Sequence, residues 1–186
     1  MEKNIMKYNY FDYWVSTGKN KRGLDNLDIT EVEQRYKDGK VFYILVGDEK
    51  NPSHIITNLG KDVMTIQTLD NNLNTFLELE YEIMENIDRD RLFLCRCRID
   101  TIENNERIFC KVVAWAVIDN YNGGDHQYRI LEYPRYEDLD LLTNIEEFGE
   151  IDTPIDEKLF WRDYPKFGEW DFMVEDSLTI KESLDV

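Results

Sequence analysis

The chain has 186 residues, 42% hydrophobic and 13% aromatic, which is enough to bury a sizeable core and suits one domain. Its 22 basic and 39 acidic residues give a net charge of -17, a field that repels nucleic acid and speeds encounter with cationic proteins. No apolar run approaches the ~18 residues of a membrane span, Met1 to Tyr10 lacks a signal-peptide core, and three cysteines do not make a secreted disulfide framework. A cytoplasmic protein without membrane attachment is expected.

Taken in order, Lys7 to Ser16 (KYNYFDYWVS) is aromatic-rich and β-prone, with Tyr8, Tyr10 and Trp14 on one side and Phe11, Tyr13 and Val15 on the other. Thr17 to Gly23 reads as a polar, basic loop; it lacks the spacing of a phosphate-gripping glycine loop. Thr30 and Glu33 form a capping-box pattern and Gly39 a stop, which predicts a short helix over Glu31 to Asp38 that covers the sheet through Val32 and Tyr36. Val41 to Val46 (VFYILV) is a continuous apolar run that suits a strand buried on both faces. Gly47 to Pro52 is a turn, followed by strands over Ser53 to Asn58, Asp62 to Leu69 and Thr75 to Ile83, with a break at Asp70 to Asn72.

Leu92 to Tyr133 forms the centre of the pattern. A two-residue turn at Asn104-Asn105, where Asn tolerates positive φ, sets Phe93, Cys95, Cys97, Ile99 and Thr101 opposite Ala116, Ala114, Val112, Cys110 and Ile108. All three cysteines then fall on an apolar face, as small buried side chains rather than a thiolate metal site. On the other face Arg98 stands directly across from Lys111, a repulsion that needs anions nearby. Thr75 to Ile83 (TFLELEYEI) supplies them: with Ile83 beside Phe93, Glu80 falls beside Arg96 and Glu78 beside Arg98. This face reads either as a cross-strand charge ladder or as a docking surface for phosphate, and the ladder explains both the repulsion and the alternating glutamates.

The last third changes character. Glu132 to Val186 holds 17 acidic residues against five basic ones, so -12 of the net charge lies there. Tyr136 to Phe148 carries Leu139, Leu142 and Ile145 at helical spacing, and Thr153-Pro154 opens a second predicted helix that runs to about Asp163. Trp170 to Val174 reads as a short returning strand, and Glu175 to Val186 as a frayed end. The expected fold is α+β: one domain over 1–186, mainly β over 1–133 with about seven to eight mostly antiparallel strands. A short helix in the N-terminal region and two C-terminal helices within the acidic 134–186 part pack on that sheet.

Chemistry is sparse. The chain has two histidines; His54 reads as a half-exposed packing residue at a strand start. His126 follows Gly123-Gly124-Asp125, which could present an acid/base pair but is also the ordinary glycine signal of a hairpin. No nucleophile elbow, HExxH helix, dinucleotide fingerprint or CxxC pair occurs, and neither cofactor nor metal is expected. Four Trp and eleven Tyr among acids suit a surface that binds a basic protein. The partner-binding candidates are Tyr133, Tyr136, Glu137, Asp138, Asp140, Trp161, Asp163, Tyr164, Glu169, Trp170 and Asp171; Trp161 and Trp170 could equally anchor C-terminal elements to the sheet.

In size, charge and lack of a catalytic motif the chain looks like the small acidic immunity proteins that bacteria make against secreted toxins, commonly cationic nucleases. That resemblance, which covers no specific residues, implies a cytoplasmic, non-enzymatic inhibitor that occludes the active site of a basic partner, with no direct contact to nucleic acid or membrane; homodimer formation is compatible with it. Two other readings are a nucleic-acid mimic that occupies a DNA-binding enzyme, and a small hydrolase or transferase with its site on the Gly123–His126 loop.

Overall fold

The computed structural model describes residues 7–15, 21–58, 60, 62–84, 89–118, 125–133, 147–150, 160–175 and 177–183, with backbone only for 116–118, 125–133, 147–150, 178, 182 and 183. The described chain is mostly antiparallel β-structure with few helices. Its contacts form two compact units: Met1–Thr75 with Pro165–Val186, and Phe76–Tyr164 between them.

The first unit holds β1 (Tyr8–Val15), β2 (Arg22–Asn26), β3 (Phe42–Asp48), β4 (Asn51–Asn58) and β5 (Val63–Leu69), in the order β5-β4-β3-β1-β2. Every adjacency in it is antiparallel. The predicted double burial of the third strand is observed, with Phe42, Ile44, Leu45 and Val46 all buried. Phe11, Leu45, Ile55 and Leu69 cluster together, with Trp14, Tyr43 and Leu73 packed against them. Helix α1 (Ile29–Asp38) starts earlier than the capping-box pattern implies: its N-cap is Asp28, whose carboxylate accepts the N–H groups of Thr30 and Glu31 at 2.9 Å. A carboxylate at that position satisfies two orphan donors and opposes the helix dipole. The helix stops at Gly39 as predicted, in the left-handed conformation.

The reading as a basic loop missed β2, because Gly, Asp and Asn are rare in strands. It pairs along β1 at the sheet margin, and Gly23 has a specific reason to be there: a Cβ would stand 2.3 Å from the Phe11 ring.

The C-terminal return of this unit also departs from expectation. Trp170 to Val174 is not a strand but leads into α2 (Asp171–Glu175), and the expected frayed end contains α3 (Ser177–Ser183). Tertiary packing overrides the β-preference of the aromatics: Trp170, Met173, Val174, Ser177 and Ile180 are all buried. Trp170 packs edge-on against Tyr36 (6.1 Å between centroids), Phe42 (6.4 Å) and Phe167 (6.2 Å), and its indole N–H donates to the Tyr10 hydroxyl at 3.4 Å. The Tyr36 hydroxyl donates to Pro165 O at 2.7 Å, and the Tyr8 hydroxyl donates to Asp171.

The second unit holds β6 (Thr75–Ile83), β7 (Arg91–Glu103), β8 (Glu106–Ile118), β9 (Asp125–Tyr133), β10 (Glu147–Glu150) and β11 (Trp161–Asp163). Their order is β10-β9-β8-β7-β6, with β11 also on β7 and every pairing antiparallel. Asn104 and Asn105 form the predicted turn, both with positive φ. Beyond it the register slips: Ile102 pairs with Arg107 but Thr101 with Phe109, so Ile108 is an extra residue, 38% exposed. Arg98 therefore faces Val112, and Lys111 faces Ile99, not Arg98.

The predicted partners of the arginines on the other side hold, Glu78 with Arg98 and Glu80 with Arg96. A second irregularity follows at Glu80/Tyr81, where Cys95 is the extra residue, so Phe93 faces Glu82 rather than Ile83.

The predicted helix over Tyr136 to Phe148 lies outside the described residues up to 146; its last two positions belong to β10. The helix from Pro154 lies outside them up to 159, and Trp161–Asp163 is strand. Among the described residues no helix is long and apolar enough to cross a membrane.

Candidate functional site

The candidate site arises where the middle unit forks. Pairing between β7 and β8 covers Arg96 to Glu103 but not the start of β7, and β11 takes up the Arg91 to Phe93 edge instead. Aromatic rings fill the fork. Phe93 contacts Phe160 (6.2 Å between centroids) and Trp161 (5.0 Å), and Trp115 meets Phe160 edge-on at 5.1 Å. Phe93, Trp115 and Phe160 are buried, whereas Trp161 is half-buried. The Arg91 guanidinium lies 4.9 Å over the Trp161 ring, and Asp163, the cross-strand partner of Arg91, is exposed, as is Asp90. The half-buried Trp161 is thus contacted by a buried ring and by a cation, with the exposed Asp163 two residues along its strand and the exposed Asp90 next to Arg91 in the chain. Trp and Arg in such a setting are the residue types that dominate protein–protein binding energy.

No protein family, curated protein or solved structure matches the chain. The reading of the site therefore rests on its own geometry.

The other partner-binding candidates are dispersed. Tyr164 is half-buried and its backbone N–H donates to Asp90 O at 3.1 Å, beside Trp161. Glu169 and Asp171 are exposed in the other unit, on the segment that Trp170 anchors. Trp170 itself has no exposed surface; it is a core residue and drops out as a contact for a partner. Tyr133 ends β9 opposite Cys110, and Tyr136, Glu137, Asp138 and Asp140 lie outside the described residues. Sequence reasoning missed Arg91 and Phe93, although the unbroken apolar run of Leu92, Phe93 and Leu94 signals a strand start buried on both faces.

The arginine face is neutralised from within. Arg96 Nη2 meets Glu80 at 2.5 Å and Glu78 at 3.5 Å; Arg98 meets Glu78 at 3.5 Å and Asp100 at 3.4 Å; Arg107 meets Asp100 at 3.3 Å. Three guanidiniums and three carboxylates balance, which is the ladder rather than a phosphate-docking surface.

Cys95 and Cys110 are held in the thiol form. Burial, reinforced by the charges of Glu82 and Glu80, raises the Cys95 thiol pKa well above its usual value. Burial, with a hydrogen bond to Asp100, pushes Cys110 up to about 12. The two register slips remove Cys95 and Cys110 from the expected apolar face: Cys95 Sγ lies 3.2 Å from Glu80 O, and Cys110 pairs with Asp100. Among the described residues the potential metal ligands that converge are Glu80, Glu82 and Cys95, with ligand atoms within 4.8 Å of one another. Arg96 already occupies Glu80.

Among the described residues of the first unit, His54 shows a large shift in its titration. Its Nε2 lies 3.2 Å from Ser177 Oγ and its Nδ1 3.0 Å from Ser53 Oγ. Ser177 donates to Val174 O at 2.9 Å and Ser53 to Val46 O at 3.2 Å, so each hydroxyl proton is committed to a backbone carbonyl and each oxygen is left to accept from the ring. Burial lowers the His54 pKa to about 4, so the ring is neutral near pH 7. A folded-state value below the unfolded value of 6.5 means that stability is complete above pH 6.5 and declines as pH falls through about 4. Comparing urea midpoints of the wild type and His54→Gln from pH 8 to 4 should show the wild type losing ground only below pH 6.5. A constant difference would refute the assignment. Asp125 and His126 are strand residues opposite Ile118 and Val117, while Gly123 and Gly124 lie outside the described residues.

Proposed function

We propose that the chain is an acidic, non-enzymatic inhibitor of immunity type, acting in the cytoplasm on a basic protein partner and docking it around Trp161. The observation that carries the reading is the half-buried Trp161, contacted by Phe93 and by the Arg91 guanidinium, with the exposed Asp163 on the same short strand and the exposed Asp90 beside Arg91 in the chain. A ring already immobilised loses little entropy on binding, so its burial against a partner translates efficiently into affinity. The net charge of -17 supplies long-range attraction, which raises the association rate of a cationic partner and makes it sensitive to salt.

The test begins with affinity purification of the tagged chain from its native host and native mass spectrometry at low and moderate salt. The expected product is a stoichiometric complex with a basic protein. Trp161→Ala should weaken that complex by about 30-fold or more, on the order of 2 kcal/mol, mainly through faster dissociation, while Glu169→Lys changes chiefly the association rate. A chain recovered without a basic partner at either salt, or a complex indifferent to Trp161→Ala, would count against the proposal.

A further inference from the structure

Asn58 closes β4 with 1% exposure, and its cross-strand partners Phe42 and Met64 are fully buried. Among the described residues neither Nδ2 nor Oδ1 of its side chain meets a hydrogen-bonding partner. A buried polar group left in that condition destabilises the fold, and here both the donor and the acceptor of one amide are in it. The neighbours cannot help, since Phe42 has no polar side-chain atom and the Met64 thioether accepts only weakly. What the amide can accommodate is a small ligand that donates and accepts at one point.

We infer that Asn58 binds an internal water molecule, which donates to Oδ1 and accepts from Nδ2. The two atoms lie side by side on one planar amide, so one water reaches both, and buried waters in folded proteins typically serve polar groups of this kind. The inference is independent of any partner, because Asn58 and Trp161 belong to different units.

A high-resolution crystal structure of the full chain, combined with water-to-amide cross-relaxation measured by NMR, tests it. The expected result is an ordered water within about 3.2 Å of both amide atoms, with cross-peaks from the Asn58 side-chain amide protons to a long-lived water. Asn58→Leu, or Asn58→Ala if the leucine variant does not fold, should abolish the ordered water while leaving the surrounding strand intact. Direct bonding of the amide to a protein carbonyl, a dry amide, or a water that persists in the variant would overturn the inference.

Discussion

Replacing Trp170 with alanine should lower the stability of the first unit by about 3–5 kcal/mol, the range for removing a fully buried large aromatic. The size of the effect follows from what the ring holds together. Trp170 is 0% exposed and sits against α1 through Tyr36, against β3 through Phe42 and against its own segment through Phe167. It also donates to Tyr10 on β1. The residues after Pro165 are therefore pinned by one side chain to three elements near the other end of the chain, and α2 and α3, of five and seven residues, are too short to persist without that packing. Native-state hydrogen exchange would localise the loss, with β3 and β4 amides less protected in Trp170→Ala and those of β6 to β8 changing less. Trp170→Phe, which keeps a ring in place, should cost only about 1–2 kcal/mol. A loss below about 1 kcal/mol in the alanine variant would mean that the C-terminal return does not stabilise this unit.

Much of this architecture is legible in the residue pattern, and the failures have identifiable causes. Alternation of apolar and charged residues places the strand from Thr75 to Ile83, and the Asn pair fixes the turn at 104–105, because these signals are local. The same alternation brings Glu78 to Arg98 and Glu80 to Arg96, as observed. The inserted residues Cys95 and Ile108 leave no trace in composition, since each stands in a run of β-prone neighbours, yet each shifts the facing residues by one. That is why the predicted clash of Arg98 with Lys111 is absent. Toward the C-terminus, Trp170 to Val174 is β-prone by content but becomes a buried lead-in and a helix, a choice made by tertiary contacts. The candidate site shares this mixed legibility. Trp161 and Asp163 stand out by type, but the roles of Arg91 and Phe93 depend on where β8 parts from β7.

The second large effect is expected at Glu78, whose carboxylate shows how the ladder works. Its side chain is 9% exposed and lies 3.5 Å from both Arg96 and Arg98. Cutting it back in Glu78→Ala leaves two guanidiniums partly desolvated with one fewer anion between them. A fully buried pair broken in this way costs about 3–5 kcal/mol. Arg96 and Arg98 retain 44% and 28% exposure, so water compensates in part and about 2–3 kcal/mol is the expected loss. Glu80→Ala should cost less, about 1 kcal/mol or below, because Glu80 and its partner Arg96 are the more exposed pair, at 20% and 44%. The combination of Glu78→Leu with Arg98→Leu separates pairing from packing: removing both charges should restore most of what Glu78→Ala loses, since the desolvation cost disappears with them. Urea denaturation of the three variants, read at β6 to β8 by hydrogen exchange, gives the comparison. If Glu78→Ala and Glu80→Ala cost the same, the face behaves as a solvated surface and the buried carboxylate has no special weight. If Glu78→Ala is the worse and the double variant recovers, the arginines of this sheet are held by carboxylates of their own strands.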